Sequence, residues 1–256
     1  MSIAGTNDGG VVAGKTVIVT GGGSGIGRAM VEAFRAGGAK VIAVDLSEER
    51  LKRLSEELAE VETVLADIST PEGADRVIDA AGDRLHVLCN NAGIIDSMEL
   101  AEEMAEDRWD KVIAVNLTGP FLLCKRALPR MVAHGEGGVI INTGSTAASR
   151  GGRGGVAYTA SKWGLLGITQ NIAATYADRG IRCVMISPGR IDTNLASSMD
   201  EEMPAGGALE LFKNDGNAPP IGRPEEIASV AVFLASQGAS RVNGVNIPVD
   251  RGWQAY

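Results

Sequence analysis

An apolar run, Thr16-Val17-Ile18-Val19, leads directly into Thr20-Gly21-Gly22-Gly23-Ser24-Gly25-Ile26-Gly27, which opens an amphipathic run over residues 29–36. This is a strand, a glycine loop and a helix start in immediate succession, and few folds accommodate that order. The spacing assigns Gly21 to a sharp turn, Gly25 to close approach of the backbone to a pyrophosphate, and Gly27 to tight packing of helix on strand. The first N–H groups of that helix have no intrahelical partner, so they face an anion, with Ser24 and Ile26 in the same loop. A second apolar run, Lys40-Val41-Ile42-Ala43-Val44, ends on Asp45, twenty-four residues after Gly21. A carboxylate so placed accepts both hydroxyls of an adenosine ribose and repels a 2′-phosphate. The glycine loop holds no Arg or Lys, and Leu46 and Ser47 follow Asp45, so NAD is expected over NADP.

Apolar strand-like runs alternate with helical patterns along nearly the whole chain, which predicts parallel βαβ units. The expected fold is α/β: one doubly wound Rossmann-type domain, a seven-stranded, mainly parallel sheet with helices on both faces. Further strands are expected over 61–66, 85–89, 138–142, 181–186 and 245–249. Helices are expected over 48–59, 71–81, 107–134, 156–177 and 224–235, with Trp109, Val112, Ile113 and Val115 facing a core. Pro120 interrupts the long pattern, so a kink or local unwinding is expected there. Residues 1–13 read as a flexible N-terminal arm and 14–256 as a single catalytic domain. Residues 194–220, mixed in charge and punctuated by Pro and Gly, break the alternation and read as a mobile substrate lid.

Composition excludes several classes. The balance of 24 basic against 32 acidic side chains, net −8, opposes non-specific attraction to nucleic acid or anionic lipid. No segment reaches the roughly 18 apolar residues a bilayer-spanning helix needs, and no export signal precedes the domain, so a cytoplasmic protein is expected. Cys89, Cys124 and Cys183 each sit in apolar runs and read as buried thiols in a reducing compartment. With two histidines, His86 and His134, and no CxxC or HExxH, no metal centre is expected.

In an open parallel sheet, ligands bind beyond the carboxyl ends of the strands. Those ends bring the glycine loop, Asp45, Asp67, residues 90–93, Ser145 and residues 188–193 to one crevice. Near Ser145 the helix over 156–177 begins with Tyr158 and Lys162, four apart and therefore on one face. A neighbouring ammonium and a cationic nicotinamide favour phenolate, bringing a tyrosine from pKa near 10 toward the working range. Singly, each residue has a plainer reading: Ser145 in a turn, Asn116 as a buried polar residue at the kink, Asp67 as a cap.

Taken together in order and spacing, these residues resemble the short-chain dehydrogenase/reductase family, over about residues 14–252. The resemblance implies that Asn116, Ser145, Tyr158 and Lys162 form a catalytic tetrad, with Asn116 holding a water that relays protons to Lys162. It implies that Asp67 and Ile68 contact adenine, and that Asn91, Ala92 and Gly93 border the adenine ribose and support the central strand. It further implies that Pro188, Gly189, Ile191 and Thr193 grip the nicotinamide carboxamide. Two positions depart from the family: Arg251 stands where glycine is usual, and Gly144 where a small hydroxyl or alanine precedes the serine.

The implied reaction interconverts a secondary alcohol and a ketone with NAD(H). Substrate contacts are expected from Ile95, Ser145, Ala147, Arg153, Tyr158, Arg190, Met199, Met203 and Phe212. The lid methionines read equally as ordinary packing; Arg150 and Arg153 could pair with a substrate anion, though such arginines are more often solvated loop charges. A medium-sized hydrophobic or cyclic substrate is favoured. A 3-oxoacyl-thioester reductase is the alternative, and a non-catalytic dinucleotide sensor is a remote one. The helices over 107–134 and 156–177 carry apolar residues on more than one stripe, consistent with the homotetramer the resemblance implies.

Overall fold

The structure, a computed structural model, describes residues 10–193 and 215–255. Seven strands pair in the order β3-β2-β1-β4-β5-β6-β7, and every pairing is parallel. The strands are β1 Thr16–Thr20, β2 Lys40–Asp45, β3 Glu62–Leu65, β4 Val87–Asn90, β5 Gly138–Thr143, β6 Ile181–Pro188 and β7 Asn246–Val249. The helices are α1 Gly25–Ala36, α2 Glu48–Glu57, α3 Pro71–Ala80, α4 Glu106–Ile113, α5 Gly119–Ala133, α6 Val156–Tyr176 and α7 Pro224–Ala235.

Strand periodicity divides the core into two layers. Val17, Val19, Val41, Ala43 and Ile141 point to the face covered by Met30, Val31 and Phe34 of α1 and by Ile227, Ala231 and Leu234 of α7. Their neighbours Ile18, Ile42, Val44, Leu88 and Ile140 point to the opposite face, covered by Val77 and Ile78 of α3, Leu123 and Met131 of α5 and Ile172 of α6. Runs of consecutive apolar residues within the central strands, such as Val17-Ile18-Val19, are what burial on both faces requires. Local chemistry starts two helices: the Ser47 hydroxyl accepts from Arg50 N, and the Thr70 hydroxyl accepts from Gly73 N ahead of Pro71.

Four local features differ from the sequence pattern. Helix α1 begins at Gly25, ahead of the first apolar position, because its first turn is made of loop glycines that carry no periodic signal. The long helical region is broken before Pro120 rather than at it: residues Ala114–Thr118 form a π-helical turn between α4 and α5. Pro120 has no N–H to offer the carbonyl four residues back, and the widened turn lets Gly119 N reach Ala114 O instead. Trp109, expected in the core, is 36% exposed, whereas Val112 of the same helix is buried. Lastly, residues 10–13 are not loose: Val12 is buried and its N–H bonds Gly37 O at 3.2 Å. All three cysteines are buried and unpaired, and no helix among the described residues is long and apolar enough to cross a membrane.

Gly27 packs the start of α1 onto the β1 turn, where a Cβ would lie 2.1 Å from Gly21 O and 2.6 Å from Asn91 Nδ2. Gly27→Ala is therefore expected to lower unfolding free energy by about 1–3 kcal/mol through overpacking. Denaturant unfolding checks this, and a midpoint equal to wild type would refute it.

Candidate active site

Beyond the carboxyl ends of the strands lies a crevice of about 440 Å³, at the point where β1 and β4 are adjacent and their connections diverge to opposite sides. The two strand ends are stitched together by Thr20. Its hydroxyl accepts from Asn91 N at 2.9 Å and Ala92 N at 3.0 Å, while Asn91 Nδ2 donates to Thr20 O at 3.0 Å. Gly21 and Gly25 both have positive φ, +65° and +52°, the left-handed region that favours glycine. A Cβ on Gly21 would come within 3.0 Å of Ala92 Cα.

Gly21, Ser24, Gly25 and Ile26 line the crevice, and Gly27 lies beneath it. Helix α1 has no side-chain cap and no acid in its first turn, unlike α2 and α3. Its unpaired N–H groups and positive dipole end thus suit a pyrophosphate. Asp45, Leu46, Asp67, Ile68, Asn91, Ala92 and Gly93 continue the lining, as do Pro188, Gly189, Ile191 and Thr193 from the end of β6. The Asp45 carboxylate is held by Gly23 N at 3.1 Å and Ser47 N at 3.0 Å. Several lining residues were not foreseen as site residues, among them Arg50, on the first turn of α2, whose Nη1 stands 3.8 Å from Asp45 Oδ1. Its signal was only its place five residues after Asp45.

Ser145, Tyr158 and Lys162 meet at the other end of the same crevice. Ser145 follows β5, where its hydroxyl accepts from Ala147 N at 3.1 Å and also hydrogen-bonds the Tyr158 phenol. Burial pushes the phenol up to about 12, Ser145 opposes that shift, and the negative charge of Asp96 adds to it. Lys162 Nζ donates to Thr143 O at 2.9 Å and lies 5.4 Å from the Tyr158 ring centre. Burial lowers its pKa to about 8. Desolvation therefore favours the neutral form of both groups, and the phenol stands above its ordinary value rather than below it, contrary to the expectation from spacing.

Asn116 sits in the π turn, buried, and does not line the crevice. Its Oδ1 accepts from Ile94 N at 2.9 Å, and its Nδ2 donates to Ile94 O at 2.8 Å and to Ser161 Oγ at 3.2 Å. Its side-chain amide braces the segment after β4 against α6.

The expected substrate contacts separate more widely. Ser145 and Tyr158 line the crevice; Ile95, Ala147, Arg153 and Arg190 do not. Arg153 forms an ion pair with Asp215 and lies 3.8 Å over the Trp253 ring, whose Nε1 donates to the same carboxylate at 2.9 Å. Arg150 donates to Gln254 O at 2.6 Å. Both arginines are thus engaged by the C-terminal turn and Asp215, partners that sequence spacing did not reveal. Met199, Met203, Phe212 and most of the expected lid lie outside the described residues.

The two departures have structural accounts. Arg251 adopts φ +54° although it is not glycine, in a turn held by Asp250, which accepts from Gly252 N and Gln254 N at 2.9 Å each. At Gly144 a Cβ would stand 2.7 Å from Met185 Sδ and Ser187 Oγ, so these neighbours occupy the space of a side chain. His86, His134 and Glu136 cluster away from the crevice. His86 Nδ1 accepts Thr16 N–H at 2.9 Å, which leaves the proton of the neutral ring on Nε2, facing Glu136 at 3.1 Å.

A crevice at the reversal of strand order, with an uncapped helix at one end and a buried Tyr–Lys pair at the other, defines a nucleotide-binding oxidoreductase of the Rossmann type. Residues 21–254 match the family model described as enoyl-(acyl carrier protein) reductase. The chain is 41% identical over 253 residues to 3beta-hydroxysteroid dehydrogenase 2 of Eggerthella lenta, covering 96% of this chain and 97% of that one. It superposes with a TM-score of 0.85 on 3-ketoacyl-(acyl-carrier-protein) reductase from Brucella melitensis complexed with NADH, at 31% identity, covering 94% and 99% of the two chains. A Beutenbergia cavernae protein described as an NAD(P)-dependent gluconate 5-dehydrogenase, with NADP at low occupancy, gives 0.83 at 36% identity, covering 96% and 98%. The chain belongs to the short-chain dehydrogenase/reductase family.

Proposed function

We propose that the protein interconverts a secondary alcohol and a ketone with NAD(H), with Tyr158 as general acid and base. The observation that carries this reading is the meeting of the Tyr158 phenol, the Ser145 hydroxyl and Lys162 in the crevice that the α1 N-terminus and Asp45 also line. The crevice lined by Gly21, Asp45 and Lys162 would hold a nicotinamide dinucleotide, which would supply the hydride acceptor for the carbinol carbon. In oxidation Tyr158 takes the alcohol proton, and the Ser145 hydroxyl steadies the substrate oxygen as its charge changes. Lys162, whose Nζ lies 5.4 Å from the Tyr158 ring centre, favours phenolate when protonated and offers donors to a ribose. The side-chain amide of Asn116 is taken up by Ile94 and Ser161, so its part in a proton relay would fall to its main chain.

Asp45, fixed by two backbone N–H groups, supports NAD, while Arg50 beside it is the group that a 2′-phosphate would meet. NAD is expected to bind at least about tenfold tighter than NADP, roughly 1.4 kcal/mol. Asp45→Ala is expected to narrow that ratio, and separate titrations check both; tighter NADP binding by wild type would overturn the assignment.

The similarity to the Eggerthella lenta enzyme supports a medium-sized cyclic substrate of the hydroxysteroid kind. The similarity to the Brucella melitensis reductase supports a 3-oxoacyl thioester as the second reading. On a panel holding both, turnover is expected with cyclic alcohols and ketones, and Tyr158→Phe is expected to lower kcat about 10²–10⁴-fold while NAD still binds. Full turnover by that variant would defeat the mechanism, and NAD binding without turnover by wild type would point to a sensor. We further infer a homotetramer, supported by the exposure of Phe121 on α5 and of Val156 and Trp163 on α6. Light scattering checks this, and a monomeric mass would exclude it.

A further inference from the structure

Asp96 lies in the segment between β4 and α4 and is completely buried. Its Oδ1 accepts from Gly155 N at 2.9 Å and from Met98 N at 3.4 Å, and its Oδ2 accepts from Tyr158 N at 2.9 Å. Gly155 is the N-cap of α6 and has no side chain with which to accept the first N–H groups of that helix. The carboxylate performs that task from 59 positions away. Its approach is so close that a Cβ on Gly155 would fall 2.3 Å from Oδ1. Two residues on, Met98 holds φ +59°, an uncommon conformation for a side chain of its size. At the near end of the same segment, both main-chain groups of Ile94 are taken by Asn116. Residues 94–98 therefore tie the π turn to the one turn of α6 that carries Tyr158.

We propose that Asp96 is a positioning residue of this site, a remote carboxylate cap that fixes Tyr158 against the crevice. The proposal rests on Tyr158 being the general acid and base. A serine or threonine at the N-cap would accept the Tyr158 N–H but would leave its own N–H unmet, and would not couple the helix to the segment after β4. A carboxylate also carries charge, favourable at the positive end of a helix. The charged groups facing Tyr158 are Asp96 from this segment and Lys162 from α6, with the Ser145 hydroxyl arriving from β5. Arg108 of α4 donates to Ser97 Oγ beside Asp96. The negative charge of Asp96 opposes phenolate formation, so its removal makes the base available at lower pH.

The test is Asp96→Asn, which keeps the shape and removes the charge and one acceptor. We expect kcat for alcohol oxidation to fall about 10–100-fold through misplacement of the phenol, with NAD affinity within about twofold of wild type. The acidic limb of the kcat/KM profile is expected to move to lower pH. A merely structural role would lower the melting temperature and leave that limb in place, and this result would overturn the proposal. Should the variant not fold, amide hydrogen exchange on the wild-type protein decides: the Gly155 and Tyr158 amides are expected to be strongly protected, and rapid exchange would refute the cap. Tyr158→Phe assayed alongside separates the two readings. If that variant turns over normally, the acid–base assignment fails. If it is inactive while Asp96→Asn matches wild type in rate and pH profile, only the cap fails.

Discussion

The site depends on how closely β1 and β4 approach at their carboxyl ends. Thr20 supplies the contact, because one hydroxyl accepts two consecutive amides of the next strand's exit. That bond fixes residues 91–93 as one wall of the crevice while the glycine loop, leaving the same threonine, forms the floor. Neither wall holds a side chain thick enough to separate them. Gly21 faces the Ala92 backbone and Gly27 faces the Gly21 carbonyl at distances that admit no Cβ without a shift. Strand order then does the rest, since the crossovers diverge on either side of this seam and leave a cavity over it.

Within that cavity, water exclusion governs the electrostatics. Burial moves Tyr158 and Lys162 in opposite directions along the pKa scale, and both shifts favour the uncharged species. The pair is thus tuned for sensitivity to any new charge, which acts more strongly where solvent is excluded. Polar chains behind the crevice hold its walls in register. Asn90 donates to Asn142 at 2.8 Å, and Asn142 in turn donates to Thr169 of α6 at 2.9 Å, so a polar chain links β4, β5 and the helix bearing Tyr158.

Much of this was legible in residue order. Runs such as residues 17–19 and 41–44 are apolar at successive positions, as a strand buried on both faces requires, and their alternation with helical patterns pointed to parallel pairing. The crevice lining was legible too, because ligand sites in such sheets gather at strand ends, and strand ends can be read from where apolar runs stop. Features set by long-range contacts were not. Arg153 looked available to an anion because Asp215 and Trp253 lie 62 and 100 positions away. Trp109 looked like a core residue because its helix is periodic, and only packing shows which stripe is covered. Nothing local to Asp96 announces that it caps α6, with α4, α5 and β5 lying between them in the chain.

By itself the sequence determined the alternating architecture, the glycine seam, the carboxylate at the end of β2 and the shared face of Tyr158 and Lys162, since each follows from spacing within one element or one turn. The tertiary structure alone decided which charges are neutralised, where the helix before Pro120 widens, how far burial shifts the phenol, and what holds its helix in place. Those outcomes depend on atoms brought together from distant parts of the chain, and on the water their packing excludes.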